Sequence, residues 1–441
     1  MSTAKIGLLS LTALVFSSMV GSGVFSLPQN MAFVANGQAL LIAWLITGVG
    51  ILFLAFALLY LTRQRPDLDG GIYNYAREGF GDLIGFCSAW GYWLCTTIGI
   101  VGYVVIAFSG VGMFTDSPSQ IYFGEGNTLY ALIGSSIFVW LIHWLVSRGI
   151  KEAALVNLIA TIAKIVPIVI FIIFSLIAFK LDLFKSNFLD FSLQTTTWQQ
   201  VRNLMLITLW VFTGIEGAVV LSSRAKKRND IGKATVLGVL LALSLYVLVT
   251  VLSYGVASRA EIAGMHNPSM AAILEQLIGL PGMIIITVGL IISVSSSYLS
   301  WTLYATEIPF LAAKNNAFPK IFLKINHNNV PISSLWLTSI VVQISLIAVC
   351  FFDKNYTQLL LISSVMILVP YFLVSAFYFK ESLKNKRAKH VSIATIAVIY
   401  STWLIYAAGI SLLLLSAVLY VAGLCIYFYS RYSSKKLVLK Q

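Results

Sequence analysis

The chain has 441 residues, of which 59% are hydrophobic and 10% charged, and its mean hydropathy is +0.90. Soluble domains carry about 25% charged residues, so this composition excludes a water-soluble globular enzyme, a disordered chain and a coiled coil. The formal net charge of +13 does not argue for nucleic acid, because the basic residues sit mainly in loops between apolar stretches, where they set membrane topology.

In chain order, apolar stretches separated by polar breaks predict twelve spans: 8–35, 39–62, 82–113, 128–147, 153–179, 201–222, 234–257, 283–311, 331–352, 356–379, 391–408 and 411–430. Each crossing of a hydrocarbon core takes about 20 apolar residues. The first run doubles as an uncleaved signal, because the chain needs it as a span. The final boundary, near Gly409, is the least marked. With both termini cytoplasmic, 23 of the 29 basic residues fall on the inner side and five on the outer, which the positive-inside rule favours. Lys164 is left inside a span. Residues 269–279 read as a short amphipathic surface helix.

Cys87, Cys95, Cys350 and Cys425 all lie in apolar stretches without a Cys-x-x-Cys pair, so neither a disulfide framework nor a metal site is indicated. There is no phosphate-binding Gly-Lys-Ser/Thr motif and no catalytic cluster. The sequence therefore predicts a protein that is not an enzyme and needs no cofactor.

Two spans carry small, flexible interruptions: Gly21-Ser22-Gly23 in the first, and Thr213-Gly214-Ile215-Glu216-Gly217 in the sixth. Each opens a block of five spans, 8–179 and 201–379. Five is odd, so the second block enters the membrane from the opposite side. Interrupted spans at matching places in two inverted halves point to a transporter's central site, since backbone groups freed there find no partner in lipid. A glycine kink for helix packing is the simpler reading of either break alone. Past the first break, the N–H groups of Ser22 and Gly23 open a half-helix whose positive end suits a carboxylate. Carbonyls around Met19, and from Trp210 to Thr213, suit an ammonium. Together these fit a zwitterionic amino-acid head group.

Glu216 and Lys164 are the charges within spans. A carboxyl at Glu216 is protonated, paired or awaiting a cation, which makes it either a hydrogen-bonded structural group or a gate. Lys164 follows Ala153, Asn157 and Ala160/Thr161 along one helical face. It reads as an ion-pair partner of Glu216, as a snorkelling amine, or as an ammonium in place of a coupling cation. Trp301 shares a face with Ser293 and Ser297, and Tyr92, Cys95/Thr96, Gly99 and Tyr103 share another. A cationic side chain stacked on a desolvated Trp gains about 1–2 kcal/mol, although aromatic residues at this spacing also serve as packing.

Several of these motifs resemble a known family. Gly21-Ser22-Gly23-Val24-Phe25 with Leu27-Pro28, and Gly70-Gly71-Ile72-Tyr73-Asn74-Tyr75-Ala76-Arg77, resemble the amino acid–polyamine–organocation superfamily. The run Leu209 to Gly217 (LWVFTGIEG) and Ser300-Trp301-Thr302-Leu303 are similar to its basic amino acid/polyamine antiporters. Gly214 to Lys227 (GIEGAVVLSSRAKK), Asn267-Pro268-Ser269-Met270 and Tyr298-Leu299-Ser300-Trp301 look most like arginine–ornithine antiporters.

The resemblance implies an all-α membrane protein with twelve transmembrane helices. It implies a LeuT-like inverted five-plus-five repeat with discontinuous helices 1 and 6: residues 1–180, then 181–380, then two C-terminal helices and a tail in 381–441. It also implies an inner-membrane location, a homodimer in the lipid bilayer, a small-molecule substrate and alternating-access exchange of arginine for ornithine. Arginine–agmatine or lysine–cadaverine exchange is the nearest alternative; a proton-coupled symporter or a cation channel is more distant. By the same resemblance, Ser22 and Gly23 meet the carboxylate, and carbonyls of Met19, Trp210 and Thr213 take the α-amino group. Trp301 stacks on the guanidinium, and Cys95, Thr96 and Ser364 add polar contacts. Glu216, Lys164 and Tyr92 belong to gating and coupling. Ile100 stands where arginine–agmatine antiporters carry an asparagine, which counts against agmatine.

Overall fold

A computed structural model of the protein describes residues 7–68, 71–220 and 226–438, and all its regular structure there is helical. Gly70 and residues 221–225 of the resemblance motifs lie outside the described residues, as do the side chains of Ala153, Asn157 and Thr161.

The helices run α1 (Leu8–Met19), α2 (Gly23–Ala32), α3 (Gly37–Gln64), α4 (Ile72–Phe80), α5 (Asp82–Thr115), α6 (Leu129–Arg148), α7 (Ile150–Ile177), α8 (Leu181–Phe188) and α9 (Thr197–Trp210). They continue with α10 (Gly217–Val220), α11 (Arg228–Ser253), α12 (Arg259–Ala263), α13 (Ser269–Ile278), α14 (Leu280–Lys314), α15 (Ile332–Phe351), α16 (Tyr356–Lys384) and α17 (Ala388–Val438). Starts are set by local chemistry. Asn36, Thr128 and Asn355 cap α3, α6 and α16 by accepting from the backbone N–H three residues on, and Thr196 with Gln199 forms a capping box for α9.

Among the described residues, nine helices are long and apolar enough to cross a membrane, or ten if α7 and α8, bent by 99°, form one span. Twelve were expected, and the difference has a local cause. The sixth expected span is split by a non-helical stretch between α9 and α10; α9, with 14 residues, is too short alone, and beyond Val220 the span enters residues outside the described ones. At the other end, α17 holds two expected spans in one element, and its backbone leaves helical geometry at Gly409 (φ 75°, ψ 160°). That is where the sequence put the boundary. The amphipathic helix expected at 269–279 is α13, with Met270, Ala271, Ile273 and Leu274 buried and Glu275 and Gln276 exposed. It touches α2 through Ser269 Oγ, which accepts from Gln29 N–H (3.1 Å).

Helices α1, α2, α5, α9, α14 and α16 meet in the buried centre of the molecule. At one end of this bundle the connection from α8 to α9 is fixed by Arg259. Its guanidinium donates to Asp190, to the Ala32 carbonyl (2.9 Å) and to Ser192 Oγ (2.6 Å). Burial alone would raise the Asp190 pKa, but the hydrogen bonds from Arg259 and from the Ser192 N–H outweigh it and hold the carboxyl below its ordinary range. The stabilisation this gives is complete above the ordinary carboxylate pKa and is lost as pH falls through the lowered one. Asp190→Ala should therefore lower the thermal midpoint in detergent by roughly 5 °C at neutral pH, and the gap between variant and parent should narrow on acidification. Thermal unfolding followed at several pH values checks this.

Candidate functional site

The α1 helix stops at Met19 because Gly21 N–H turns back to the Met19 carbonyl (2.9 Å), which ends the i to i−4 ladder. The second break needs glycine: Gly214 has φ +110°, and a Cβ there would lie 2.8 Å from the Ser18 carbonyl oxygen. The two breaks face each other. Ser18 Oγ donates to the Gly214 carbonyl (2.8 Å), and a Cβ on Gly23 would lie 2.6 Å from Val211 Cγ1.

Lys164 serves the first break. Its ammonium, on a fully buried residue, donates to the carbonyls of Ser17 (3.0 Å) and Val20 (2.9 Å) and to Ser297 Oγ (3.3 Å). Three donors meet three acceptors, two of them carbonyls beside the α1 terminus. Ser293 Oγ donates to the Gly21 carbonyl (3.0 Å) from the neighbouring turn of α14. Glu216 is held elsewhere: Tyr371 donates to its carboxylate (2.8 Å), and the buried Tyr92 hydroxyl lies beside it without making a hydrogen bond. Among the described residues Lys164 and Glu216 form no ion pair, so that reading of Lys164 is set aside.

Aromatic rings close the centre. The centroids of Trp301 and Trp210 are 5.4 Å apart, and Tyr103 lies 5.1 Å from the first and 5.9 Å from the second. Trp301 is 1% exposed, and its indole N–H donates to the Ser18 carbonyl (3.2 Å). Gly99 gives these rings room, since a Cβ there would lie 2.4 Å from the Trp301 ring. Ile100 is buried next to it.

Ser22 and Gly23 are buried at the start of α2, and among the described residues their N–H groups take no backbone partner. Ser22 Oγ shares a hydrogen bond with Tyr356 Oη (2.9 Å), which also accepts from Trp210 Nε1 (2.9 Å). In the second break the Trp210 carbonyl accepts from Thr213 N–H (3.1 Å), and Thr213 Oγ1 donates to the Leu209 carbonyl (3.3 Å). The expected polar side chains divide. Cys95 pairs with Ser363, whose hydroxyl donates to the Cys95 carbonyl (2.6 Å). Thr96 bonds back to its own helix, at the Tyr92 and Trp93 carbonyls. Ser364 bonds to the carbonyls of Leu360 and Leu206 rather than to Cys95.

Tyr356, Tyr371 and Ser363 were missed by sequence reasoning. A buried tyrosine hydroxyl usually finds a partner, so Tyr371 inside an apolar span was an available signal, though it does not say which group is met; Tyr356, at the edge of its span, and Ser363 carried none.

Two gapped helices joined at their breaks, with N–H groups that find no backbone partner among the described residues beside a buried aromatic cluster, have the arrangement of a helical membrane carrier's core. The comparisons agree: residues 6–431 match the amino acid permease family model, and the chain belongs to that family. It is 55% identical over 427 residues to an Escherichia coli protein provisionally named an arginine/ornithine antiporter, covering 97% of this chain and 92% of that one. To the arginine/ornithine antiporter of Pseudomonas aeruginosa it is 48% identical (97% and 91% covered), and to the arginine/agmatine antiporter of Chlamydia caviae 42% (99% and 92%).

Tyr356→Phe should leave both Ser22 Oγ and Trp210 Nε1 short of a partner. Losing such a buried hydrogen bond costs about 1–3 kcal/mol, so the variant should melt earlier and bind substrate more weakly. Thermal unfolding with and without added amino acid checks both.

Proposed function

We propose that this protein is a sodium-independent exchanger of cationic amino acids that takes up arginine and releases ornithine by alternating access. The observation that carries the reading is the juxtaposition of the unpaired Ser22 and Gly23 N–H groups with the Trp210, Trp301 and Tyr103 rings. The first group suits the carboxylate, and the second a cationic side chain. The names of the relatives at 48% and 55% identity support the exchanged pair.

The rest of the proposal follows from that core. The chain forms twelve spans in an inner membrane with both termini cytoplasmic: an inverted pair of five-helix units, 1–180 and 181–380, and a further helix pair and tail in 381–441. The protein forms a homodimer. Carbonyls of Met19, Trp210 and Thr213 receive the α-amino group. Cys95, Thr96 and Ser364 border the side-chain end. Lys164 holds, as a fixed ammonium, the place where a coupling cation would sit, while Glu216 with Tyr92 forms the gate on the α10 side.

Exchange is read by labelled arginine uptake into proteoliposomes preloaded with ornithine. Uptake should far exceed that into empty vesicles, and equal rates refute the proposal. Both solutes carry one positive charge, so an imposed membrane potential should leave the rate unchanged. A potential-dependent rate would support the second reading, exchange of arginine for doubly charged agmatine, which the Chlamydia relative's name favours and the buried Ile100 opposes.

Trp301→Leu should weaken arginine binding by roughly 5- to 30-fold, as expected for a lost cation–π contact of about 1–2 kcal/mol. Binding of a neutral amino acid should change little. Isothermal titration with both ligands tests the stacking role, and unchanged arginine affinity removes it.

A further inference from the structure

Two helical turns from the central site lies a separate cavity of about 420 Å³. Its polar lining comes from Gln29 and Asn30 near the end of α2, Arg202 and Asn203 in α9, and Asn355 and Thr357 at the start of α16. Asn30, Ser26 and Ser22 follow one another at four-residue steps, as do Arg202, Leu206 and Trp210, so each helix presents one face to both places. Tyr356 stands between them, bonded to Ser22 and Trp210 and flanked in sequence by two cavity residues.

The electrostatics of this cavity are uneven. Arg202 has no ion pair or hydrogen bond among the described residues, and its Nε is buried without a partner. The Nδ2 of Asn30, a residue 3% exposed, is likewise unpartnered. Asn30 Oδ1 is already used, accepting from Thr357 Oγ1 (3.1 Å) and Asn267 Nδ2 (3.3 Å). What remains is a set of spare N–H donors around a permanent positive charge that has no acceptor of its own.

We infer that this cavity is a selectivity station on the path to the central site, in which Arg202 engages the α-carboxylate of an entering amino acid and turns away solutes that lack one. The inference rests on the proposed function and on the proposed orientation, which turns this cavity outward. A guanidinium and a carboxylate make paired, charge-assisted hydrogen bonds. Arginine and ornithine bring a carboxylate and net charge +1, whereas a decarboxylated relative such as agmatine brings charge +2 and no acceptor. A like charge at the mouth of a cleft opposes entry of the second class while favouring the head group of the first. Arg202 is thus a positioning and specificity residue, separate from the aromatic cluster that holds the side chain.

The test compares unlabelled arginine and agmatine as outside competitors of labelled arginine uptake in ornithine-loaded proteoliposomes. In Arg202→Gln, the potency of agmatine relative to arginine should rise roughly fivefold to tenfold. In Arg202→Lys, which keeps the charge, it should stay near the parent value. Asn203→Asp, which places a carboxylate on the same cavity wall, should shift the ratio in the same direction as Arg202→Gln and gives a second route if that variant folds poorly. High salt should erode the parent's discrimination, because the effect is electrostatic. An unchanged ratio in variants that still exchange overturns the role of Arg202 and leaves the exchanger proposal standing. Failure of the parent to exchange arginine for ornithine sinks that proposal instead.

Discussion

Backbone groups released inside a hydrocarbon layer must find partners within the protein, and the centre of this molecule is arranged around that need. Ending α1 at Met19 and opening α9 after Trp210 frees carbonyl and N–H groups in the middle of the bundle. Side chains from several helices answer them: Lys164 at the Ser17 and Val20 carbonyls, Ser293 at Gly21, Ser18 at Gly214, Tyr246 at Val211 and Trp301 at Ser18. The N–H groups that begin α2 are left out of this satisfaction. A helix N-terminus with spare donors in a low-dielectric setting attracts an anionic group.

The same constraint explains why the two buried charges are kept apart. An ion pair between Lys164 and Glu216 would have left the carbonyls beside the first break to other donors. In the structure the ammonium is spent on the backbone, and the carboxylate receives a hydroxyl from Tyr371 instead. Lys164 thus serves the backbone of the first break, and Glu216, in the second, meets a hydroxyl from α16. The neighbouring glycines set the spacing. Gly99 admits the tryptophan pair, and Gly217 lies so close to the Tyr304 hydroxyl that a Cβ would come within 2.5 Å of it.

Much of this is legible in the sequence. Uninterrupted apolar stretches gave α3, α5, α6, α14, α15 and α16 to within a few residues, because a membrane span is specified by local composition. Both breaks were readable from glycine and small polar residues in otherwise apolar runs, and the hinge in α17 from Gly409. Where the sequence is silent, the deciding contact is distant in the chain. The amphipathicity of 269–278 reports an apolar face and not that α2 lies against it. Ser363, which the sequence did not single out, meets Cys95, while its neighbour Ser364 bonds to the Leu206 carbonyl, because a helix turns about 100° per residue.

The sequence by itself determined that this chain is a membrane protein, where its helices lie, where two of them come apart and which charges are buried, since all of these depend on residues close together in the chain. Only the tertiary structure decided the partners: Lys164 on the first break rather than on Glu216, Tyr356 bridging Ser22 and Trp210, and Arg202 left without a counter-charge in its cavity. Such pairings join residues more than a hundred positions apart, and hydropathy carries no record of which distant acceptor a given donor will meet.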